Sequence, residues 1–292
     1  MKIFLYARYV KSDYLDPLKA LLAAVERYGW HVYSSRNLYE FIRKNDLTSG
    51  VKVIDDHENL RQARVDMAIT LGGDGTILGA TCMIRDLGIT LMGINLGRLG
   101  FLSSVERKKI DLAMEYVANG EYTIEERGML TLSSDPPLFG ELNFALNDFT
   151  VHKRDTSSMI NIHVWIDGEF LNAYWADGLI IATPTGSTGY SLSCGGPIIF
   201  PSSDTMILTP VAPHNLNVRP LVISDTAEVT VALEGRAKKY LCTLDSRYET
   251  ITVNHKLSIK KCPFHTKLVL LKGQSFLHTI HEKLSWGSDR RN

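Results

Sequence analysis

The chain has 292 residues, 45% of them hydrophobic and 22% charged, which is the balance of a folded globular protein rather than a disordered one. Its 32 basic and 32 acidic side chains cancel, so charge gives no reason to expect nucleic acid or an anionic membrane as a partner. No secretory signal or membrane-spanning apolar run is visible and the four cysteines are scattered, so we expect a cytoplasmic protein without a disulfide framework or a zinc site.

The first 120 residues alternate between strand and helix patterns. Apolar runs predict strands at residues 3–6, 31–34, 65–71 and 89–96. Helical spacing from Leu18 to Tyr28, ended by Gly29, predicts one helix, and residues 110–118 predict another. Apolar strands that alternate with helices are typical of a parallel sheet covered on both faces, where ligands bind outside the carboxyl ends of the strands. We therefore predict a Rossmann-like α/β domain over residues 1–120.

From about residue 121 the helical periods end and β-rich segments follow one another. Asp167-Gly168 lies between two apolar runs, which is a strong signal for a β-hairpin. We predict an all-β domain over residues 121–274. Residues 275–284 have helical spacing, and we expect this helix to return to the first domain. With the polar tail that follows, it forms a predicted C-terminal segment over residues 275–292.

The run Gly72-Gly73-Asp74-Gly75-Thr76 lies between a predicted strand and a helical pattern. Its glycines let the backbone approach a ligand closely, and the N-terminus of the helix favours phosphate. Because a carboxylate would repel phosphate, we interpret Asp74 as a chemical group, either a base that accepts a hydroxyl proton or a metal ligand. A plain turn in which Asp74 caps the helix is the alternative. The spacing matches the dinucleotide fingerprint poorly, and the lack of GxxxxGK(S/T) excludes a P-loop kinase.

Two further segments have the composition of a nucleotide site. A short apolar strand after Asp177 leads into a loop rich in hydroxyls and glycines, and long loops in compact domains are typically functional. Asn147-Asp148 offers an amide and a carboxylate for ribose hydroxyls or an adenine edge. A polar connection between strands is the alternative for the first segment, and an Asx turn is the alternative for the second. His214, in a third polar loop, is interpreted as structural.

Together with Asn95-Leu96-Gly97-Arg98-Leu99-Gly100-Phe101-Leu102, these segments resemble NAD kinase in order and spacing over residues 66–220. The glycine motif alone is shared with phosphofructokinases and diacylglycerol-type lipid kinases, whereas the hydroxyl-rich loop and the Asn-Leu-Gly-x-Leu-Gly-Phe-Leu run are specific. The resemblance implies transfer of a phosphoryl group from ATP to the 2′-hydroxyl of the adenosine ribose of NAD, which gives NADP. It also implies a homodimer or homotetramer. Mg²⁺ is the expected divalent cation, held mainly by the donor phosphates.

The resemblance also implies roles for particular residues. Asp74 would be the general base. The implied substrate-binding residues are Gly72, Gly73, Gly75, Thr76, Asn147, Asp148, Asp177, Thr188, Gly189, Tyr190, Ser191, Leu192, Ser193 and Ala212. The sequence departs from the family pattern at Asp148, where relatives have glutamate, at Trp175, where many have a basic residue, and at Asp245-Ser246, where Asp-Gly is frequent.

Two other functions stay open on the sequence alone. One is a kinase of another acceptor, a lipid or a sugar phosphate, that shares the glycine motif. No Thr-Ile-Asp-Asn-Asp-like run of a phosphofructokinase is present, and Ile77-Leu78-Gly79 stands where lipid kinases usually have Asn-Glu. The other is a non-catalytic NAD-sensing protein, against which the intact Asp74 argues because a sensor needs no base.

Overall fold

The computed structural model describes residues 1–48, 50–98, 100–154, 158–235 and 237–286. Leu99 of the Asn-Leu-Gly motif and residues 287–292 of the predicted tail lie outside the described residues. The chain divides into two compact units. Unit 1 comprises Met1–Glu126 and the chain from Thr266 onward, and unit 2 comprises Arg127–His265.

Strands and helices are numbered in chain order. The strands are β1 (Lys2–Tyr6), β2 (His31–Ser35), β3 (Val51–Ile54), β4 (Met67–Leu71), β5 (Thr90–Asn95), β6 (Val105–Glu106), β7 (Tyr122–Arg127), β8 (Leu130–Asp135), β9 (Phe144–Ala145), β10 (Asp148–Lys153), β11 (Ile160–Ile166), β12 (Glu169–Ala176), β13 (Gly178–Ala182), β14 (Thr205–Val211), β15 (Leu221–Ser224), β16 (Val229–Glu234), β17 (Tyr240–Leu244), β18 (Arg247–Ile251), β19 (Lys256–Lys261) and β20 (Thr266–Leu271). The helices are α1 (Leu15–Arg27), α2 (Arg36–Lys44), α3 (His57–Ala63), α4 (Asp74–Ile84), α5 (Ile110–Asn119), α6 (Tyr190–Ser193) and α7 (Phe276–Leu284).

Unit 1 is built on a sheet in the order β3-β2-β1-β4-β5-β20-β7, with β6 paired to β5. The pairings from β3 through to β20 are parallel, which confirms the predicted α/β class. β4 lies in the middle of the sheet, and all five of its residues are buried. Because β4 and β5 are parallel neighbours, with Leu71 opposite Ile94, the segments that leave their carboxyl ends begin side by side.

The ends of the helices in unit 1 follow the signals in the sequence. α1 buries Leu18, Leu21 and Val25 on one face and is followed by Gly29, whose φ is +65°. α7 begins after Ser275, whose hydroxyl accepts the N–H of His278 at 3.2 Å. This helix follows β20 within unit 1, so the expected return of the C-terminal helix to the first domain is confirmed.

Unit 2 consists of two antiparallel sheets that share one core, which confirms the all-β prediction. One sheet has the order β15-β14-β13-β10-β17-β18 and the other β12-β11-β16-β19-β8-β9. Phe149 and Val151 of β10 pack in the same buried cluster as Val164 and Val231 of the second sheet. The predicted hairpin joins β11 to β12 through Asp167-Gly168, and both residues have the positive φ that this turn requires.

The compact units differ in extent from the predicted domains. The sequence assigned residues 121–274 to the β-rich domain, whereas β7 and β20 lie in the sheet of unit 1. A strand's own residues show that it is a strand and not which sheet it joins. Among the helices of the described residues, none is long and apolar enough to cross a membrane.

Candidate active site

The turn that carries Asp74 leaves the carboxyl end of β4. Gly72 follows the strand with a φ of +147°, a conformation that residues with side chains rarely adopt. Gly73 precedes α4, whose first residue is Asp74. The N–H of Thr76 donates to the carbonyl oxygen of Gly73 at 2.9 Å. That N–H is therefore used within the turn, and the N–H groups from Gly73 to Gly75 are left as the candidates for a phosphate.

The carboxylate of Asp74 is held by the loop that follows β5. Its Oδ2 accepts the N–H of Phe101 at 2.8 Å, and its Oδ1 accepts those of Leu102 at 3.1 Å and Ser103 at 3.0 Å. The alternative in which Asp74 caps α4 is wrong, because its side chain bonds to this other loop and the capping position is Gly73. Within the described residues Oδ2 has a single donor, which leaves it acceptor capacity for a hydroxyl group.

Two contacts keep this loop in place around Asp74. The Ser103 hydroxyl donates to the carbonyl oxygen of Gly72 at 2.9 Å, which ties the loop to the glycine turn. Gln274, between β20 and α7, donates from Nε2 to the carbonyl oxygen of Ser104 at 2.9 Å and accepts the Ser104 hydroxyl at 3.1 Å. A Cβ on Gly100 would lie 2.6 Å from Cγ of Asp74, so the loop approaches the carboxylate only because residue 100 is glycine.

In unit 2, the candidate residues lie along the strand pair β10 and β13. Asp148 pairs with Ala182 at one end, and His152 pairs with Gly178 at the other. Side chains alternate along a strand, so Asp148, Thr150 and His152 share one face, while Phe149 and Val151 face the core between the sheets. Four residue steps span roughly 14 Å at about 3.4 Å each. We name this outer face of β10 the β10 strip.

The loop after β13 contacts both ends of the β10 strip. Near Asp148 the loop touches the preceding turn, where the N–H of Thr183 donates to the carbonyl oxygen of Asn147 at 2.9 Å. A Cβ on Gly186 would lie 2.9 Å from Cα of Asn147 and closer still to its carbonyl group. At the far end Tyr190 reaches His152, with 2.7 Å between the hydroxyl oxygen and Nε2 and with stacked rings 5.7 Å apart.

Asp148 has a perturbed acidity. It is 7% exposed, and burial together with the nearby charge of Asp245 raises its pKa to about 7. Burial lowers the pKa of His152 and raises that of Tyr190, so both groups are favoured as neutral partners in their hydrogen bond. The β10 strip is thus a poorly solvated surface on which polar contacts to a ligand are strengthened.

The remaining candidates of the loop differ in exposure. Gly189, Tyr190 and Ser193 are exposed, and Thr188 and Leu192 are half-buried. Ser191 is fully buried, and its hydroxyl lies 2.8 Å from that of Thr209, so this residue holds the loop on the sheet. A Cβ on Gly189 would meet only the carbonyl oxygen of Gly186, at 3.3 Å. If glycine is needed at residue 189, as expected, the reason is therefore close approach of the ligand rather than packing within the protein.

Asp177 and Ala212 lie at the His152 end of the strip. The carboxylate of Asp177 is 2.5 Å from Nζ of Lys153, and its N–H donates to the carbonyl oxygen of Val211. Ala212 follows β14 with a φ of +44° and is exposed. Trp175, one of the departures from the family pattern, contacts the ring of His214 at 4.3 Å. This contact agrees with the structural interpretation of His214.

Sequence reasoning missed Ser103 beside Asp74 and His152 and Lys153 on β10. Gly100 to Leu102, Thr183, Gly186 and Asp245 belong to segments that the sequence singled out, but their contacts were not predicted. Most of them act through backbone groups or through packing, which leaves no signature in residue type. The glycines at residues 100 and 186 were the available signal, because a glycine within a motif can indicate that the backbone there packs closely against a neighbouring group.

Comparison with known proteins identifies the family of the chain. The family models for the ATP-NAD kinase N-terminal and C-terminal domains match residues 21–122 and 146–271. The NAD kinase of Flavobacterium johnsoniae is 43% identical over 295 residues, which cover 100% of both chains. The chain belongs to the NAD kinase family. The NAD kinase of Cytophaga hutchinsonii is 50% identical over 227 residues, or 78% of each chain.

The fold is that of solved members of the NAD kinase family. The crystal structure of yeast NADH kinase complexed with NADH matches 99% of this chain and 88% of its own, with a TM-score of 0.89 at 22% identity. The matched family ranges include Asp74 in the first domain model and the residues from Asn147 to Ala212 in the second. The departures at Asp148, Trp175 and Ser246 therefore fall inside an otherwise matched NAD kinase domain.

Proposed function

We propose that this chain transfers the terminal phosphoryl group of ATP to the 2′-hydroxyl of the adenosine ribose of NAD, which yields NADP and ADP. Its membership in the NAD kinase family supports the donor and the acceptor. The single observation that carries the chemistry is the carboxylate of Asp74, oriented by three backbone N–H groups and with hydrogen-bonding capacity left at Oδ2 for a hydroxyl group. A hydroxyl acceptor needs such a base.

In the proposed reaction, Oδ2 of Asp74 takes the proton of the 2′-hydroxyl while that oxygen forms a bond to the terminal phosphorus atom. The bond from this phosphorus to the bridging oxygen breaks, and the leaving group departs as ADP. Phosphoryl transfer depends mostly on alignment and on neutralisation of charge. The N–H groups of Gly73, Asp74 and Gly75, with the N-terminus of α4, are proposed to hold the donor phosphates.

The dinucleotide is proposed to bind along the β10 strip. Asn147 and Asp148 would contact the adenosine ribose at one end, and Asp177 and Ala212 would bind at the other. The strip spans roughly 14 Å, a length suited to an extended ligand rather than to a compact sugar. The ring of the exposed Tyr190 stacks against His152, and its other face is proposed to contact a ring of the dinucleotide.

Mg²⁺ is proposed as the divalent cation. In the part of the chain that the structure describes, no three His, Cys, Asp or Glu side chains are grouped to hold a metal ion. The residues present therefore fit an ion that arrives with ATP and is held mainly by its phosphates. Its contribution would be to neutralise charge on the transferred phosphoryl group.

The rival functions gain no support. The relatives named above are NAD kinases, and none is a lipid kinase or a phosphofructokinase. A cytoplasmic location and assembly into a dimer or tetramer stay predictions.

The test of the proposed function is direct. The protein is incubated with NAD, ATP and Mg²⁺, and NADP is measured. Formation of NADP at a rate that depends on enzyme concentration is expected. Binding of NAD without product would instead favour a sensor, and phosphorylation of a lipid or sugar phosphate in place of NAD would favour another acceptor.

A further inference from the structure

Asp245 lies on the turn between β17 and β18, and its side chain is 4% exposed. Its carboxylate accepts three consecutive backbone donors of the neighbouring turn. Oδ2 accepts the N–H of Leu146 at 3.0 Å, and Oδ1 accepts those of Asn147 at 2.7 Å and Asp148 at 3.3 Å. The N–H of Asp245 in turn donates to the carbonyl oxygen of Asp148 at 2.9 Å.

The same turn is held from its other side by Thr183. β10 lies between β13 and β17 in the sheet, so the turn before β10 has a neighbour on each flank. The Thr183 hydroxyl donates to the carbonyl oxygen of Leu146 at 2.7 Å, and its N–H donates to that of Asn147. Asp245 therefore binds the three N–H groups of the turn and the carbonyl oxygen of Asp148, whereas Thr183 binds the carbonyl oxygens of Leu146 and Asn147.

We propose that Asp245 is a positioning residue that fixes the Asn147-Asp148 turn, and so sets where these two side chains meet the ribose of NAD. The proposal rests on the proposed function, because the ribose contact does. Asp245 acts through the turn and touches no reacting atom. It deepens the assignment of the site by naming the residue that gives the ribose subsite its shape.

The charges around Asp245 support this role. Burial raises the pKa of Asp245, and the three N–H donors and Arg247 oppose that rise. The guanidinium of Arg247 lies 3.9 Å from Oδ2 and also donates to the carbonyl oxygens of Leu142 and Phe144. Three N–H donors and the Arg247 guanidinium thus converge on the carboxylate of Asp245 and hold it against the turn.

The test compares Asp245→Asn with the wild type in steady-state kinetics. The substitution keeps the volume of the side chain but removes one acceptor and the negative charge. We expect the KM for NAD to rise by about tenfold or more, since a bond to a charged acceptor is lost, while the KM for ATP stays within about twofold. A double-mutant cycle with Asn147→Ala should be strongly non-additive, because both changes disable the same turn.

The matched control is Asp225→Asn. Asp225 is a buried carboxylate of unit 2 that pairs with Lys261 at 2.5 Å and, among the residues that the structure describes, makes no bond to the Asn147-Asp148 turn. This variant should lower the melting temperature and leave the KM for NAD unchanged. If Asp245→Asn behaves in the same way, with only lower stability, Asp245 is merely structural and the proposal is overturned. Additivity in the cycle would overturn it as well.

Hydrogen exchange keeps the proposal testable without turnover. In the wild type, the amide protons of Leu146 and Asn147 should be protected from exchange like those of the flanking strands. In Asp245→Asn they should exchange faster. Exchange of these amides in the wild type at the rate of an open loop would contradict the proposal even if the variant fails to fold. If the wild type makes no NADP, the proposed function fails, and amide exchange with the calorimetric affinity for NAD still decides the role of Asp245.

Discussion

Asp74 and Asp245 use the same physical device in different units. Each carboxylate accepts three consecutive backbone N–H groups of a neighbouring loop, residues 101–103 for Asp74 and residues 146–148 for Asp245. Such bonds orient the side chain and the loop together, because moving either one breaks several charge-assisted contacts. In one case the oriented group is the carboxylate itself, and in the other it is the loop.

The approach of residue 100 to Asp74 leads to a prediction. Gly100→Ala places a Cβ 2.6 Å from Cγ of Asp74, so the carboxylate must move. Because a displacement of about 1 Å in a reacting group costs on the order of 10²-fold in rate, we expect kcat to fall by about that factor. Steady-state kinetics check it. The control is Gly97→Ala, whose Cβ would meet only Oδ1 of Asn95 at an ordinary 3.9 Å and should change kcat far less. Equal effects of the two substitutions would contradict the account.

The acidity of Asp148 predicts how stability depends on pH. Burial, with the charge of Asp245, raises its pKa to about 7 in the folded protein, against about 3.9 in an unfolded chain. Between these values the folded state holds a proton that the unfolded state has lost. The contribution of Asp148 to the free energy of unfolding therefore falls as pH rises from about 4 to about 7 and levels off above that.

The substitution Asp148→Asn removes this titration. Relative to the wild type, the variant should gain stability as pH rises, by at most about 1.4 kcal/mol per pH unit, until about pH 7. Urea unfolding of both proteins at several pH values measures the difference, in which the contributions of groups that do not interact with Asp148 cancel. If the stabilities of the two proteins changed in parallel from pH 5 to pH 8, Asp148 would not hold this proton in the folded wild type.

At the scale of elements, the sequence predicted what depends on local pattern. β1, β2, β4, β5 and α1 follow from apolar runs and helical spacing, and the hairpin follows from Asp167-Gly168. The segment α2-β3-α3 was missed, because two short helices and a four-residue strand carry weak periodicity. The candidate motifs could also be found in the sequence, because their glycines and clustered hydroxyl residues distinguish them from the surrounding segments.

Packing between the loop after β13 and the Asn147-Asp148 turn gives an element-scale prediction. Gly186→Ala would press a Cβ onto backbone atoms of Asn147, which cannot rotate away as a side chain would. We expect overpacking to cost about 1–3 kcal/mol of stability and the KM for NAD to rise, since the turn is displaced. Thermal unfolding and kinetics check both effects. Gly128→Ala is the control in the same unit, because its Cβ would meet nothing within 4 Å. An unchanged KM for NAD in Gly186→Ala would show that packing of the loop does not affect the ribose contacts of the Asn147-Asp148 turn.

At the scale of the whole molecule, the pairing of strands that are far apart in the chain could not be predicted from the sequence. β20 joins the sheet of unit 1 beside β5, although the 139 residues of unit 2, Arg127–His265, separate it from the rest of that unit. Nothing in the residues of β20 marks this partner. For the same reason the roles of Asp245 and Gln274 were not predicted, since each acts on a segment about 100 or more residues earlier in the chain.

If Asp74 is the base that activates the 2′-hydroxyl of NAD, Asp74→Asn should abolish most of the phosphoryl transfer. The substitution keeps the size of the side chain and one of its two acceptor oxygens, so the loop loses part of its hydrogen bonding and stability should fall. The proposed NAD contacts on the β10 strip are unchanged, so most of the affinity for NAD should be retained. Removal of a general base typically lowers the rate by about 10²–10⁴-fold. NADP formation, measured beside the calorimetric affinity for NAD, should show that loss in kcat with little change in binding. Near-full turnover in Asp74→Asn would contradict the account.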